Sequence, residues 1–161
     1  MKQIILVRHA KSSWEYDVID HERPLKERGF NDAKLIANKL QSLNLTIDKV
    51  LISDAKRTTQ TAEIILPAIK VPESVIEYSY NLYDFAGYDL TQVIKSCDNN
   101  IETLMIFGHN HAITAFANTF GEKYINNVPT CGVVVIDFQV SSWSEISNGQ
   151  TTLTIFPRDL R

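Results

Sequence analysis

Short apolar runs alternate with amphipathic stretches along the first two thirds of the chain. The run Gln3–Val7 is rich in Ile and Val and is bounded by polar residues, a pattern that predicts a buried strand. Within Lys26–Leu43, apolar residues recur at three- and four-residue spacing, which predicts an amphipathic helix. Pro24 lies just upstream, where proline favours a helix start. The chain therefore begins with a strand followed by a helix.

The same order of a strand and then a helix follows in the next segment. Lys49–Ile52 is a second short apolar run and predicts a strand. It leads into Ser53 and Asp54, two residue types that favour the N-cap of a helix. We expect that helix to cover about Ala55–Leu66 and to end at Pro67, because proline cannot continue a helix interior.

The last third of the chain begins with a third strand and helix and then changes character. Glu102–Phe107 predicts a strand, and the apolar spacing within Ala112–Thr119 predicts a helix that ends at Gly121. Two β-branched runs, Gly132–Val140 and Thr151–Pro157, predict a closing antiparallel strand pair. Alternating strands and helices imply a mostly parallel sheet with helices on both faces.

Composition and charge limit the number of domains and the kinds of binding partner. A chain of 161 residues with 44% hydrophobic and 22% charged residues is in the range of one globular domain, and no repeat or linker divides it. A net charge of −3 gives no general attraction to nucleic acid or to an anionic membrane. The apolar start of the chain, Met1–Val7, is too short for a membrane span or a signal peptide. We expect a single cytoplasmic domain over residues 1–161.

In all three predicted strand–helix units, basic residues lie near the junction where the strand leads into the helix. Arg8 and His9 directly follow the first strand. Arg57 lies in the first turn of the second helix, and His109 lies in the turn before the third. Each of these residues alone is equally typical of a solvated loop, a cap or a packed side chain. Because the carboxyl ends of parallel strands meet at one edge of a sheet, we expect the four side chains to converge there.

The position of Arg57 is unusual for a cation. The field at a helix N-terminus disfavours a positive charge by several tenths of a kcal/mol, so an anionic partner is expected. A surface salt bridge to Asp54 or Glu63 is one solution, and a bound anion is the other. Guanidinium groups match phosphate oxygens bidentately, so the converging cluster favours a phosphate pocket.

Two other kinds of site find no support in the sequence. The six glycines are scattered, so neither a nucleotide-binding loop nor the glycine-rich turn of a dinucleotide-binding oxidoreductase is present. No His, Cys, Asp or Glu cluster has metal-ligand spacing, and His109-Asn110-His111 alone is a poor chelate. We therefore predict no metal and no other cofactor.

Three segments carry a resemblance to a known family. Leu6–Ala10, Ser53–Ala62 and Gly108–Asn110 resemble, in order and spacing, the histidine phosphatase (phosphoglycerate-mutase-like) superfamily. The stretch Asp20–Leu25 is similar to the small bacterial SixA-like branch of phosphohistidine phosphatases. Many members of that branch have proline after the third segment, whereas this chain has His111, which is either a surface residue at the helix start or an extra basic contact at the pocket rim.

The resemblance implies a fold and a set of roles. The fold is a three-layer α/β/α sandwich with a C-terminal antiparallel strand pair. His9 is the phosphoryl acceptor, Arg8, Arg57 and His109 form the phosphate pocket, and Arg23 is a further phosphate contact. Neutral His9 attacks phosphorus in line, and water then hydrolyses the phosphohistidine. We expect the second ring nitrogen of His9 to donate to a backbone carbonyl or similar acceptor.

The proton donor for the leaving group is less defined. Larger superfamily members supply it from an acidic residue in the middle segment, where Asp84 is the best positional match and Glu77 the second. A solvated loop carboxylate is the equally weighted alternative for Asp84. A site with a weak acid would favour phosphohistidine or aryl esters, because a phosphoramidate nitrogen takes a proton from solvent more readily than an alkoxide does.

These features predict a phosphatase that acts on protein phosphohistidine or on a small phosphorylated compound. The segment Tyr78–Glu102 is too short for a large lid, so we expect an open pocket that suits a bulky substrate. A metabolite phosphatase or mutase is the alternative enzyme, and it would need a dedicated general acid and a polar lid to hold a small substrate. A non-catalytic phosphate-binding module is the alternative of another class, and the presence of His9 speaks against it.

Overall fold

In the computed structural model, which describes residues 1–161, six strands and four helices alternate. The strands are β1 (Lys2–Arg8), β2 (Lys49–Ser53), β3 (Ile76–Ser79), β4 (Thr103–Gly108), β5 (Val133–Phe138) and β6 (Gln150–Ile155). The helices are α1 (Glu27–Gln41), α2 (Lys56–Ala68), α3 (Tyr88–Lys95) and α4 (Ala112–Phe120). None of the helices has both the length and the apolar character needed to cross a membrane.

The strands form one mixed sheet in the order β3-β2-β4-β1-β5-β6. The first four strands in this order run parallel to one another. β5 pairs antiparallel with β1, and β6 pairs antiparallel with β5. The prediction of a mostly parallel sheet that closes with an antiparallel strand pair is confirmed.

The central strand β1 is buried on both faces. Ile5 and Val7 belong to the hydrophobic core under α1 and α2, whereas Ile4 and Leu6 belong to the core under α3 and α4. All four side chains are inaccessible to solvent. Because successive side chains of a strand point to opposite faces, a strand covered on both sides has a continuous apolar run. This arrangement confirms the three-layer α/β/α sandwich.

Two elements, β3 and α3, were missed in the sequence analysis. β3 has only four residues and lies at the sheet edge with none of them fully buried, so it lacks an apolar run. α3 does carry a usable signal, because Leu90 and Ile94 are four residues apart and are both buried.

The ends of α2 differ from the prediction. The N-cap is Ala55, whose side chain cannot cap the helix, and the side chains of Ser53 and Asp54 contact His109 and His21. At the other end the helix continues through Pro67 to Ala68. Pro67 lies in the last turn, one residue before the helix ends, and the Ile69 amide still donates to the Ile65 carbonyl.

Candidate active site

The carboxyl ends of β1, β2 and β4 bring the predicted basic cluster together. The imidazole centroids of His9 and His109 are 5.3 Å apart. The positive charges of Arg8 and Arg57 lower the pKa of both histidines, although burial lowers it more. The exposed fractions of His9, His109 and Arg57 are 7%, 1% and 2%, so these three side chains lie almost completely below the surface.

The ring of His9 has the orientation that a nucleophile needs. Its Nδ1 lies 2.7 Å from the carbonyl oxygen of Ala10, so Nδ1–H donates and Nε2 carries a free electron pair. Burial lowers the pKa of His9 well below its ordinary value and outweighs the opposing effect of the Ala10 hydrogen bond, while His109, Arg57 and Arg8 each add a smaller decrease. His9 is therefore a neutral imidazole at neutral pH.

His109 is positioned as a neutral hydrogen-bond donor. Its Nε2 lies 2.8 Å from the hydroxyl of Ser53 at the end of β2, and its Nδ1 is buried without a partner in the protein. Burial lowers the pKa of His109 to about 3, and the charge of Arg57 contributes. When the Ser53 hydroxyl donates to Nε2, the ring proton resides on Nδ1 and is available to an anion.

Both pocket arginines keep an unpaired N–H group. The two terminal nitrogens of Arg57 donate to the backbone carbonyl and the carboxylate of Asp20, at 2.7 Å and 2.9 Å. Nη1 of Arg8 donates to the carbonyl of Val128 at 2.8 Å. The Nε atoms of both arginines are buried and have no hydrogen-bond partner. Each guanidinium is thus held at its far end while its Nε–H remains available.

Asp20 is the partner of Arg57 and was not predicted from the sequence. The Asp20 carboxylate also accepts from Nε of Arg23 at 3.0 Å and from the hydroxyl of Tyr83 at 2.5 Å. Partial burial raises the pKa of Asp20, but the hydrogen bonds from Tyr83 and the two arginines outweigh it and hold the pKa well below its usual range. Asp54 and Glu63, the two candidate salt-bridge partners from the sequence, make no salt bridge to Arg57.

Arg23 lies next to the cluster but uses most of its donors within its own loop. Its Nη1 donates to the hydroxyl of Ser12 and to the carbonyl of Ser13, and the indole of Trp14 stacks 3.5 Å from the guanidinium carbon. Through Asp20 it shares an anionic partner with Arg57. These contacts favour a role in positioning the loop, and a direct phosphate contact by Arg23 stays a prediction.

The two predicted proton donors have other partners. Asp84 accepts hydrogen bonds from the backbone amides of Ala86, Gly87 and Leu90 at 3.0–3.1 Å, which closes the turn before α3. Glu77 forms an ion pair with Lys49 at 2.8 Å. These contacts favour structural roles for both carboxylates, and proton donation by Asp84 stays a prediction.

Aromatic rings, which the sequence analysis did not anticipate, cover His109. The ring centroids of Tyr83 and Phe85 lie 5.3 Å and 5.1 Å from that of His109. Both residues belong to the loop between β3 and α3, the region where no element was predicted. His111 is exposed at the N-cap of α4, as expected for a surface residue at a helix start. No three His, Cys, Asp or Glu side chains are grouped as a metal-ligand set.

Comparisons with known proteins agree with this geometry. The sequence model of the histidine phosphatase superfamily (branch 1) matches residues 4–84. An uncharacterised protein of Mycobacterium tuberculosis is 29% identical over 93% of this chain and 98% of its own length. Phosphohistidine phosphatase SixA of Escherichia coli is 31% identical over 72 residues, which cover 45% of this chain and 44% of that protein.

The likeness extends to a solved structure. The protein histidine phosphatase SixA complexed with tungstate superposes with a TM-score of 0.79 at 20% identity, over 99% of both chains. The residues matched by the family model make up half of this chain and include Arg8, His9 and Arg57. The chain therefore belongs to the histidine phosphatase superfamily.

Proposed function

We propose that the protein is a phosphatase that takes a phosphoryl group onto Nε2 of His9 and then hydrolyses the phosphohistidine. Three buried N–H groups carry this proposal: Nε of Arg8, Nε of Arg57 and Nδ1 of His109 have no partner in the protein. A buried donor without a partner costs about 1–3 kcal/mol, so such groups are rare unless a ligand uses them. A phosphoryl group offers three acceptor oxygens to the three donors.

In the first step, Nε2 of His9 attacks phosphorus in line with the leaving group. The P–N bond forms while the bond to the leaving group breaks, and the leaving atom keeps the electron pair and takes a proton from water. Negative charge on the equatorial oxygens is met by donors of Arg8, Arg57 and His109 that are already in place. The hydrogen bond from Nδ1 to Ala10 stabilises the positive charge that develops on the imidazole.

In the second step, water attacks the phosphohistidine from the side that the leaving group has left. The P–N bond breaks and returns its electron pair to Nε2 of His9, and inorganic phosphate is released together with the proton of the water. The guanidinium groups supply the charge stabilisation that a metal ion supplies in other phosphatases. The proposed mechanism is therefore independent of metal.

The hydrogen bonds of Asp84 and the ion pair of Glu77 indicate which leaving groups the enzyme can release. Because Asp84 and Glu77 have other partners, we expect a leaving group that departs without a proton from the protein. The nitrogen of phosphohistidine and the oxygen of an aryl phosphate both meet this condition. We therefore favour phosphohistidine in a protein, the substrate named for the SixA relative, over the alkyl phosphates of metabolite phosphatases and mutases.

A panel of substrates in excess EDTA tests this proposal. We expect turnover of p-nitrophenyl phosphate and of a phosphohistidine peptide, and slow or no turnover of alkyl phosphometabolites. A preference for an alkyl phosphate would support the metabolite phosphatase or mutase instead. Phosphate binding without turnover of any substrate would support the non-catalytic module, and loss of activity on chelation would contradict metal independence.

A further inference from the structure

Exposed hydrophobic side chains are concentrated in two short segments. We define residues 14–22 and 80–89 as the rim segments. Ten large hydrophobic residues of the chain are strongly exposed, and seven of them lie in the rim segments. Single exposed hydrophobics are ordinary, but such a concentration marks an interaction surface. The seven residues are Trp14, Tyr16, Val18, Ile19, Tyr80, Phe85 and Tyr88.

The rim segments meet each other at the phosphate pocket. The hydroxyl of Tyr83 donates to the Asp20 carboxylate at 2.5 Å, and the ring of His21 lies 4.9 Å from that of Tyr83. Asp20 in turn binds Arg57, and Phe85 packs on His109. The exposed apolar surface is therefore continuous with the residues that would hold the phosphoryl group.

The charge of the rim segments is opposite to that of the pocket. They contain six acidic residues and no lysine or arginine. Asp20 is paired with Arg57 and Arg23, and Asp84 is bound by backbone amides, whereas the other four are exposed. On the side formed by the rim segments, a cationic pocket is thus bordered by apolar and acidic groups. The six acidic residues are Glu15, Asp17, Asp20, Glu22, Asp84 and Asp89.

We propose that the rim segments form the docking surface for a protein that presents its phosphorylated residue among apolar and basic side chains. This inference rests on the proposed phosphatase function. A phosphoryl group would enter the pocket while flanking lysine or arginine residues meet Glu15 and Asp17, and aromatic side chains such as Tyr88 supply the apolar contact. Anionic membranes attract basic segments, so acidic rim segments without lysine or arginine do not fit a lipid surface.

Two phosphopeptides with the same phosphorylated residue test the charge and the apolar character of the partner. One has leucine and lysine on both sides of the phosphorylated residue, and the other has serine and glutamate. We expect kcat/KM to be at least about tenfold higher for the first peptide, and we expect salt to reduce the difference. Equal values for the two peptides would overturn the docking surface.

Matched variants inside and outside the rim segments test where on the protein the partner docks. Ile19 and Tyr88 are 71% and 73% exposed within the rim segments, and Tyr124 is 75% exposed outside them. We expect the double variant Ile19→Ser/Tyr88→Ser to lower kcat/KM for the leucine–lysine peptide by about tenfold. Turnover of p-nitrophenyl phosphate should stay within about twofold, because this small substrate fills only the pocket. Tyr124→Ser should change neither rate, and an equal effect of Tyr124→Ser and the double variant would overturn the proposal.

A binding measurement separates this inference from the proposed function. Fluorescence anisotropy with the two labelled peptides measures docking without turnover. If p-nitrophenyl phosphate is not hydrolysed, the proposed function fails, and the ratio of the two affinities alone decides the docking surface. An affinity for the leucine–lysine peptide that the double variant reduces supports the surface, and equal affinities overturn it. Cosedimentation with phosphatidylserine vesicles that the double variant abolishes would also overturn it.

Discussion

The buried pocket and the exposed rim segments differ in how their side chains are held. In the pocket, His9, Arg57 and His109 are almost fully buried, and each is fixed by a hydrogen bond to Ala10, Asp20 or Ser53. In the rim segments, most large side chains point to solvent. Charge stabilisation requires donors that are ordered before the reaction, whereas recognition of a partner requires accessible surface. We therefore propose that the pocket determines the chemistry and that the rim segments determine the choice of substrate.

The largest effect is expected for the nucleophile. His9→Ala should lower kcat/KM for p-nitrophenyl phosphate by more than about a hundredfold, because loss of a covalent nucleophile removes the reaction path. The thermal unfolding midpoint should change little, since His9 lies at the end of β1 and outside both hydrophobic cores. Retention of more than about a hundredth of the activity would contradict the role of His9.

The next largest effect concerns the pH dependence of folding. The pKa of His109 is about 3 in the folded protein and near 6.5 in an unfolded chain, so between these values the unfolded chain binds more protons. The free energy of unfolding should therefore fall as the pH decreases from 6.5 towards 3. At pH 5, His109 should have lowered it by about 2 kcal/mol relative to neutral pH.

Urea unfolding at pH 7.5 and pH 5 measures this contribution. The decrease in the free energy of unfolding between the two pH values should be about 2 kcal/mol smaller in His109→Asn than in the parent protein. His111→Asn is the matched control, because that histidine is exposed, and it should leave the decrease unchanged. An equal decrease in the parent and in His109→Asn would contradict a neutral, buried His109.

An intermediate effect is expected at the contact between the pocket and the rim segments. Asp20→Asn should lower kcat/KM for p-nitrophenyl phosphate by about tenfold, because Arg57 and Arg23 lose a charged partner that orients them. Asp17→Asn, which changes an exposed acid in the same loop, should have no effect on this substrate. If Asp20→Asn is fully active, the orientation of Arg57 does not depend on this carboxylate.

The smallest effect is expected for Asp84. If its carboxylate only closes the turn before α3, Asp84→Asn should lower stability by about 1 kcal/mol and slow aryl and alkyl phosphates equally and modestly. A general acid would instead give a loss of about 10²–10⁴-fold for the alkyl phosphate alone. Comparing the two losses in the same preparation decides between these roles, since damage to folding affects both substrates alike.

The same contrast explains which features the sequence could predict. The basic residues near the ends of β1, β2 and β4 could be placed because each lies within a few residues of an apolar run in the sequence. The partners that orient them could not, because Asp20 and Arg57 are separated by 37 residues and their contact depends on tertiary structure. Ser53 and Asp54 were mispredicted for the same reason. Their local preference is for helix capping, but their side chains form hydrogen bonds with histidines that are distant in the sequence.

The region around β3 and α3 was the least predictable part of the fold. Ile76–Ser79 is short and partly exposed, so its strand depends on pairing with β2 rather than on an apolar run. The loop that follows carries Tyr83 and Phe85, whose packing on His109 is a tertiary contact without a local signal. The pattern of the sequence thus predicted the buried cluster of basic residues better than the exposed segments beside it.

Direct trapping of the phosphoryl group on His9 tests the proposed mechanism most decisively. The enzyme is mixed with a fast aryl phosphate, quenched in base within milliseconds, digested and mapped by mass spectrometry. We expect one phosphoryl group on the peptide that contains His9, at a level that rises and decays with turnover, and none in His9→Ala. Turnover with no phosphorylated peptide at any time, or with the phosphoryl group on another residue, would contradict covalent catalysis by His9.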